Sequence, residues 1–319
     1  MNCTLCPRAC GVDRSIRPGP CHAGAEMRVA AIVAHRGEEP PLVKGEGSGA
    51  VFFSGCPLQC PFCQNKQISH RQDGHALSPS RLADYLLALE LEGCSNINLV
   101  SPTHYAVPLA QALAQARERG LTLPVVLNSS GYESIATLEE LRPYIDIYLM
   151  DIKYGDNQTG GRLSQVRDYW DKTRQAVSWC WKTAGALRQD AAGAGVAGLI
   201  VRHLVLPGML SNPFAVLEFV AGLSLDIPLS LMSQYDPGFY AGPIQEMCRP
   251  LDKAEYAVVL ERAAELGIGT VFTQAMDCVQ SYSPDFQDLR PFGDGMNLLS
   301  ATPDITNENM ARYQHEFNY

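Results

Sequence analysis

The chain has 319 residues, 46% hydrophobic and 18% charged, with 27 glycines and 21 prolines. That length allows one large domain or two ordinary ones. The composition excludes a disordered chain, which needs more charge and fewer apolar residues, and a collagen-like one, which needs far more glycine. With 34 acidic and 25 basic side chains the net charge is −9, so no nucleic acid partner and no membrane partner is expected on general electrostatic grounds.

The first residues, MNCTLCPRACGVDRS, hold no apolar stretch of the signal-peptide kind. No run approaches the roughly 18 to 20 apolar residues that span a bilayer. The expectation is a soluble, cytoplasmic protein. Eleven cysteines are present, an odd number, and seven of them precede residue 64. In a reducing compartment such closely spaced thiols serve as metal ligands or redox groups rather than as disulfides.

Cys3, Cys6, Cys10 and Cys21 come first, in the spacing CX2CX3CX10C. So short a segment has little core of its own, and a second metal bound there would supply folding free energy. Four thiolates suit a tetrahedral zinc or an auxiliary iron-sulfur cluster equally well. Zinc is preferred, because no neighbouring residue points to electron transfer. Residues 1–48, which include the Pro40-Pro41 step, read as a small cysteine-rich metal-binding appendage.

From residue 49 to 276, short β-branched or apolar runs alternate with segments of helical period, the pattern of repeated βα units. The predicted strands are 50–54, 96–100, 125–128, 147–151, 199–205, 229–232 and 270–273. The predicted helices are 80–92, 107–119, 134–142, 168–187, 213–221 and 252–266. Several strands end in small or polar residues, at 54–56, 101–104, 128–131 and 151–153. Parallel barrels build their sites at the C-terminal ends of strands, so these loops should share one face. The fold class expected is α/β, a partial (β/α)6 TIM-type barrel with the N-terminal appendage. Residues 277–319, without periodicity, should form an irregular C-terminal tail on the barrel. Cys94, Cys180, Cys248 and Cys278 are isolated and read as buried small apolar residues.

Cys56, Cys60 and Cys63 stand in the spacing CX3CX2C just after the first of these strands. Three thiolates on one tight loop can hold three irons of a 4Fe-4S cluster and leave the fourth iron open. Pro57 and Pro61 disfavour a helix and help the loop to curl. The same thiols could instead hold zinc or be buried cysteines of incidental spacing.

This loop resembles that of the radical S-adenosylmethionine (SAM) superfamily, CX3CXφC with an aromatic residue, here Phe62, before the last cysteine. The chain is similar in particular to the pyruvate formate-lyase activating-enzyme-like proteins, through CPRACGVDR at 6–14, NINLVSPTH at 96–104, NSSGYE at 128–133, LMDIKY at 149–154 and RHLVLPG at 202–208. The resemblance implies that SAM chelates the open iron and that an electron from the reduced cluster cleaves it to methionine and a 5′-deoxyadenosyl radical. It implies an oxidoreductase with Cys56, Cys60 and Cys63 as its catalytic centre. The hydrogen donor would be a glycine of a partner protein, or else another peptide or small molecule, and the reductant a flavodoxin or ferredoxin. An iron-sulfur electron-transfer module without SAM chemistry is the alternative from another class, against which the polar strand ends stand.

By the same resemblance, Ser101, Thr103 and His104 occupy the place of the motif that holds the methionyl amino group. Asn128 and Ser130 replace a loop that approaches the ribose and a monovalent cation, which a neutral amide attracts less than a carboxylate does. Asp151 and Lys153 lie two residues apart at a strand end and so share a face; the resemblance puts Lys153 near the SAM carboxylate. Arg202, with its planar fork, would anchor the methionine moiety or a substrate acid. Its neighbour His203 points the other way and reads as structural.

Overall fold

In the computed structural model, which describes residues 2–71, 73–276, 284–293 and 295–301, these runs form one ten-stranded sheet. Its strands are β1 (Arg28–His35), β2 (Ser48–Phe53), β3 (His75–Ala76), β4 (Ile97–Val100), β5 (Val125–Ser129), β6 (Ile147–Asp151), β7 (Arg188–Gln189), β8 (Gly195–Leu204), β9 (Leu229–Met232) and β10 (Val271–Thr273). The spatial order is β10-β9-β8-β6-β5-β4-β2-β1-β3, with β7 paired to β8. From β10 to β2 every neighbouring pair is parallel. At the other edge β1 and β3 are antiparallel additions. The sheet is open and mostly parallel, as a partial TIM-type barrel requires.

The helices are α1 (Lys66–Ser69), α2 (Pro79–Leu91), α3 (Ala106–Glu118), α4 (Ile135–Leu141), α5 (Asn157–Ser164), α6 (Tyr169–Ala184), α7 (Pro213–Leu223), α8 (Lys253–Glu265) and α9 (Leu298–Ala301). Parallel register aligns Val51, Leu99, Leu127, Tyr148 and Leu199 in one row across the sheet. All are buried in one core with Leu82, Leu86 and Leu89 of α2 and Leu109 and Leu113 of α3. Full burial of each such side chain contributes about 1.5–3 kcal/mol. Local signals set the helix starts. Ser78 caps α2 by accepting from the Arg81 amide at 3.2 Å, and Asp252 with Glu255 forms a capping box on α8. A cap of this kind stabilises by about 1 kcal/mol.

Among the elements not expected from the sequence, two bear on the architecture. Residues 28–35, grouped by sequence with the appendage, pair with β2 along the main sheet. Helix α5 has no counterpart among the predicted helices, because Gly160, Gly161 and their polar neighbours show no apolar stripe. The described part of the tail is stitched to the barrel: Phe286 and Phe292 pack on Phe52 with ring centroids 5.3 and 5.1 Å away. Asn297 Oδ1 accepts from the Ile32 amide of β1 at 3.1 Å. Among the described residues no helix is long and apolar enough to cross a membrane.

Candidate active site

β2 delivers the chain to the cysteine loop at one end of the sheet. Gly55 makes the turn with φ +85°, and the Cys21 carbonyl oxygen lies 2.5 Å from where a Cβ would stand, so only glycine fits. The loop closes on itself: the Cys63 amide donates to the Cys60 carbonyl at 3.2 Å, and the Gly55 amide to the Ile68 carbonyl at 2.9 Å. The Leu58 amide donates to Cys56 Sγ at 3.4 Å, Cys60 Sγ lies 2.9 Å from Ser164 Oγ, and Cys63 Sγ lies 3.3 Å from Ser69 Oγ.

Burial pushes the Cys56 and Cys63 thiols above their ordinary range, and the nearby charge of Cys60 adds to it, against a pull from Lys153. Three thiolates can therefore coexist here only beside a compensating positive centre. An iron-sulfur cluster supplies one, and it deprotonates its ligands as it binds. Among the described residues no three His, Cys, Asp or Glu side chains converge as the ligands of a single metal ion. A structural zinc takes four protein ligands, whereas three thiols suit a four-iron cluster that leaves one iron open.

One cavity is lined by Cys56, Cys60, Phe62 and Cys63 from this loop and by Ser101, Asn128, Ser130, Asp151, Lys153 and Arg202 from the strand ends. The register of β6 and β8 sets Asp151 beside Arg202. Asp151 Oδ2 accepts from Lys153 Nζ at 2.7 Å, and its Oδ1 from Arg202 Nε at 2.8 Å. Arg202 also donates to Asn128 Oδ1 at 2.5 Å and to Glu38 Oε2 at 3.3 Å. Burial opposes ionisation of Asp151, but Arg202 and Lys153 outweigh it and hold the carboxyl below the usual range. Burial likewise opposes charge on Lys153, and Asp151 more than restores it. Glu39, 3.9 Å from Arg202, is pushed up to about 7 by burial, with Arg202 opposing.

Ser130 is presented by a tight turn in which a Cβ at Gly131 (φ +80°) would collide with the Asp151 carbonyl oxygen. The Ser130 carbonyl accepts from Tyr169 Oη at 2.8 Å, which in turn accepts from the Lys153 amide at 2.7 Å. This tyrosine on α6 thus fixes two strand ends together, a role that no local motif announces. Glu38 likewise had no signal, being separated from Arg202 by 164 residues. Arg202, expected to face a ligand carboxylate, has its fork committed to Asp151, Asn128 and Glu38.

Thr103 and His104 lie outside the lining of this cavity. They begin the turn Thr103–Tyr105 that leads into α3, and both are buried. Thr103 hydrogen-bonds to Glu133. His104 Nε2 donates to the Ser54 carbonyl at 2.8 Å, and the His104 carbonyl accepts from Arg14. Burial lowers this imidazole to about 4, so it braces the end of β2 as a neutral ring. His203 is structural, as expected: buried, with Nδ1 donating to the Ile152 carbonyl at 2.6 Å and Nε2 accepting from Ser211 at 3.2 Å.

Cys3, Cys6, Cys10 and Cys21 lie outside the cavity, and they do not converge on a single ion. The preference for zinc is therefore without structural support. Their segment is docked on the cysteine loop: the Cys56 amide donates to the Cys21 carbonyl at 3.0 Å, and Arg8 Nε to the Pro57 carbonyl at 2.5 Å. Cys94 and Cys180 are buried, as expected, but Cys248 is exposed on the turn Gln245–Cys248. That turn lies at the surface, where no core surrounds the thiol. Cys278 lies outside the described residues.

Residues 50–184 match the model of the radical SAM superfamily. The chain is 28% identical over 281 residues to an uncharacterized protein of Methanocaldococcus jannaschii, covering 85% of this chain and 77% of that one. Among solved structures, SuiB of Streptococcus suis bound to precursor peptide SuiA is similar with a TM-score of 0.50 and 13% identity, over 72% of this chain and 49% of SuiB. This chain thus spans about half the length of that structure. A domain of pyruvate-formate lyase-activating enzyme from Bacteroides vulgatus gives a TM-score of 0.36 at 13% identity, over 52% of this chain and 89% of that domain.

Proposed function

We propose that the chain is an activating-enzyme-like radical SAM oxidoreductase, with a 4Fe-4S cluster on Cys56, Cys60 and Cys63 and SAM lying across the strand ends. The observation that carries this reading is the single cavity in which the three thiols face Ser101, Ser130, Asp151 and Lys153. When bound and reduced, the cluster supplies the electron that splits SAM and so permits hydrogen abstraction from a substrate. The surrounding residues bind, orient and exclude water. Lys153 is the cationic partner for the SAM carboxylate, kept charged and aimed by Asp151. Phe62 packs edge-on against Tyr235, with centroids 6.0 Å apart, in an apolar cluster with Leu58 and Tyr154 that shields the loop.

An electron carrier without SAM chemistry has no need of the buried charges at the strand ends. The hydrogen donor is a glycine of a partner protein, in keeping with the motif blocks at 96–104, 128–133 and 149–154. A flavodoxin- or ferredoxin-type protein provides the electron. The test uses anaerobically reconstituted, reduced protein, which should convert SAM to methionine and 5′-deoxyadenosine. Cys56→Ala, Cys60→Ala and Cys63→Ala should each abolish that conversion together with the visible cluster absorption. Cleavage that persists in any of the three removes the assignment. Cleavage without a glycyl radical in any co-purified partner leaves the enzyme and removes the glycine.

A further inference from the structure

We infer that Tyr154 and Ser164 form a two-hydroxyl relay to the Cys60 sulfur that sets how readily a cluster on this loop takes up an electron; the inference rests on the cluster proposed above. Tyr154 follows Lys153 just beyond the end of β6, and Ser164 ends α5. Ser164 Oγ lies 2.9 Å from Cys60 Sγ and 2.8 Å from Tyr154 Oη, whereas Tyr154 Oη lies 3.9 Å from the sulfur. Tyr154 and Ser164 are fully buried, and Cys60 is 6% exposed. Bulk water therefore does not compete for these hydroxyls.

The proton count selects one arrangement. Each hydroxyl carries one proton and can also accept through its oxygen. A cysteine sulfur bound to iron is a thiolate and donates nothing. Ser164 therefore donates to Cys60, and its oxygen accepts from Tyr154. The opposite orientation, with Ser164 donating to Tyr154, would leave the sulfur only the 3.9 Å contact and a buried thiolate poorly paired. The contacts of the other two sulfurs are longer, at 3.4 Å from the Leu58 amide to Cys56 and 3.3 Å from Ser69 Oγ to Cys63.

The backbone holds the relay in place. The Ser164 carbonyl accepts from the Gln59 amide and from Arg8 Nη2, each at 3.3 Å, which ties the end of α5 to the cysteine loop. Tyr154 packs edge-on against Tyr169, with ring centroids 5.1 Å apart, and Tyr169 fixes the ends of β5 and β6. Reduction adds negative charge to a cluster and its sulfurs, so a hydrogen bond to sulfur is stronger in the reduced state and raises the potential. Polarisation of the Ser164 hydroxyl by Tyr154 strengthens that bond. The effect is electrostatic, and no proton is transferred.

The experiment measures the reduction midpoint of the anaerobically reconstituted full chain, without SAM, by following cluster absorption against applied potential. Ser164→Ala should make the ratio of reduced to oxidised cluster at a fixed potential about tenfold smaller, equivalent to about 59 mV for one electron. Tyr154→Phe should make it about threefold smaller. Because Tyr154 is a positioning residue acting through Ser164, Tyr154→Phe should add no further shift in the Ser164→Ala background. Should Ser164→Ala not fold or not load iron, Tyr154→Phe, which removes a single oxygen, decides alone. An unchanged midpoint in the folded, iron-loaded variants, or additive shifts in the double variant, overturns the relay and leaves the proposed function standing. A wild-type chain that assembles no four-iron cluster, or a cluster that persists in Cys60→Ala, would instead overturn the proposed function, and the relay with it.

Discussion

Asp151 sits between two cations, Lys153 at 2.7 Å and Arg202 at 2.8 Å, so it remains a carboxylate although buried. Its task is to hold the Lys153 ammonium still. Lys153→Met preserves the packing of the stem and deletes the charge. Losing a charge-assisted contact of about 1.5–3 kcal/mol should weaken SAM binding by about 10- to 150-fold. Iron content should not change, because Lys153 lies on a strand end rather than on the cysteine loop. Equilibrium binding to cluster-replete protein reads the effect, and unaltered affinity would place Lys153 outside the SAM pocket. His203 makes a different kind of contribution. Burial lowers its ring to about 4, whereas the unfolded value is about 6.5. The fold therefore binds this proton less well than the unfolded chain does. Its stabilisation is complete above about pH 6.5 and is lost as pH falls towards 4, by about 3 kcal/mol. His104, also held at about 4, acts in the same direction. Urea midpoints at pH 7 and pH 4.5 should show a shallower acid loss for His203→Gln than for wild type, and equal slopes would refute the neutral ring.

The parallel strands were legible because each carries a short β-branched run bounded by turn residues, and because Val125–Ser129 and Ile147–Asp151 end in polar side chains that a site can use. Strand β1 was less legible. Its run RVAAIVAH lies between two cysteine turns and a double proline, and local sequence does not reveal that it pairs backwards onto β2. Among the described residues, antiparallel addition leaves most of its far edge without a strand partner, since β3 covers only Arg28 and Val29. Exposed edges invite unwanted pairing, and here the tail covers this one. Asn297, 2% exposed, accepts the Ile32 amide at 3.1 Å and donates to the Ala30 carbonyl at 3.4 Å, imitating a neighbouring strand. Asn297→Ala should leave a buried amide unpaired and cost about 1–3 kcal/mol. Limited proteolysis should then release the C-terminal segment sooner than in wild type. Identical cleavage kinetics would mean that the aromatic contacts of Phe286 and Phe292 alone retain it.

At the scale of the molecule, the site was legible where its chemistry is local and opaque where the chain closes on itself. Cys56, Cys60 and Cys63 announce themselves by spacing, and Asp151 with Lys153 by strand period. That Thr103 and His104 stand outside the cavity lining depends on the phase of the turn into α3, and four residues do not encode that phase. Glu38 was invisible for a topological reason. It follows β1, five strands from β8 in the sheet order, yet it meets Arg202 of β8. Such a contact requires the open sheet to curl. The next residues complete the closure, with Leu42 buried against Val126, Ile147, Leu149 and Ile200 inside the curve. Arg202 thereby joins β5, β6, β8 and the segment after β1 through Asn128, Asp151 and Glu38. Arg202→Met should destabilise by about 3–5 kcal/mol, since breaking a buried pair leaves the partner charge uncompensated. That penalty is shared by Glu38 and Glu39, because Asp151 keeps Lys153. Glu38→Gln added to Arg202→Met should therefore recover part of the loss. A double-mutant cycle on denaturant midpoints should give a coupling of about 0.5–3 kcal/mol between positions 38 and 202. Additive effects would show that the contact closing the barrel carries no free energy, and that the apolar plug around Leu42 sets the curvature by itself.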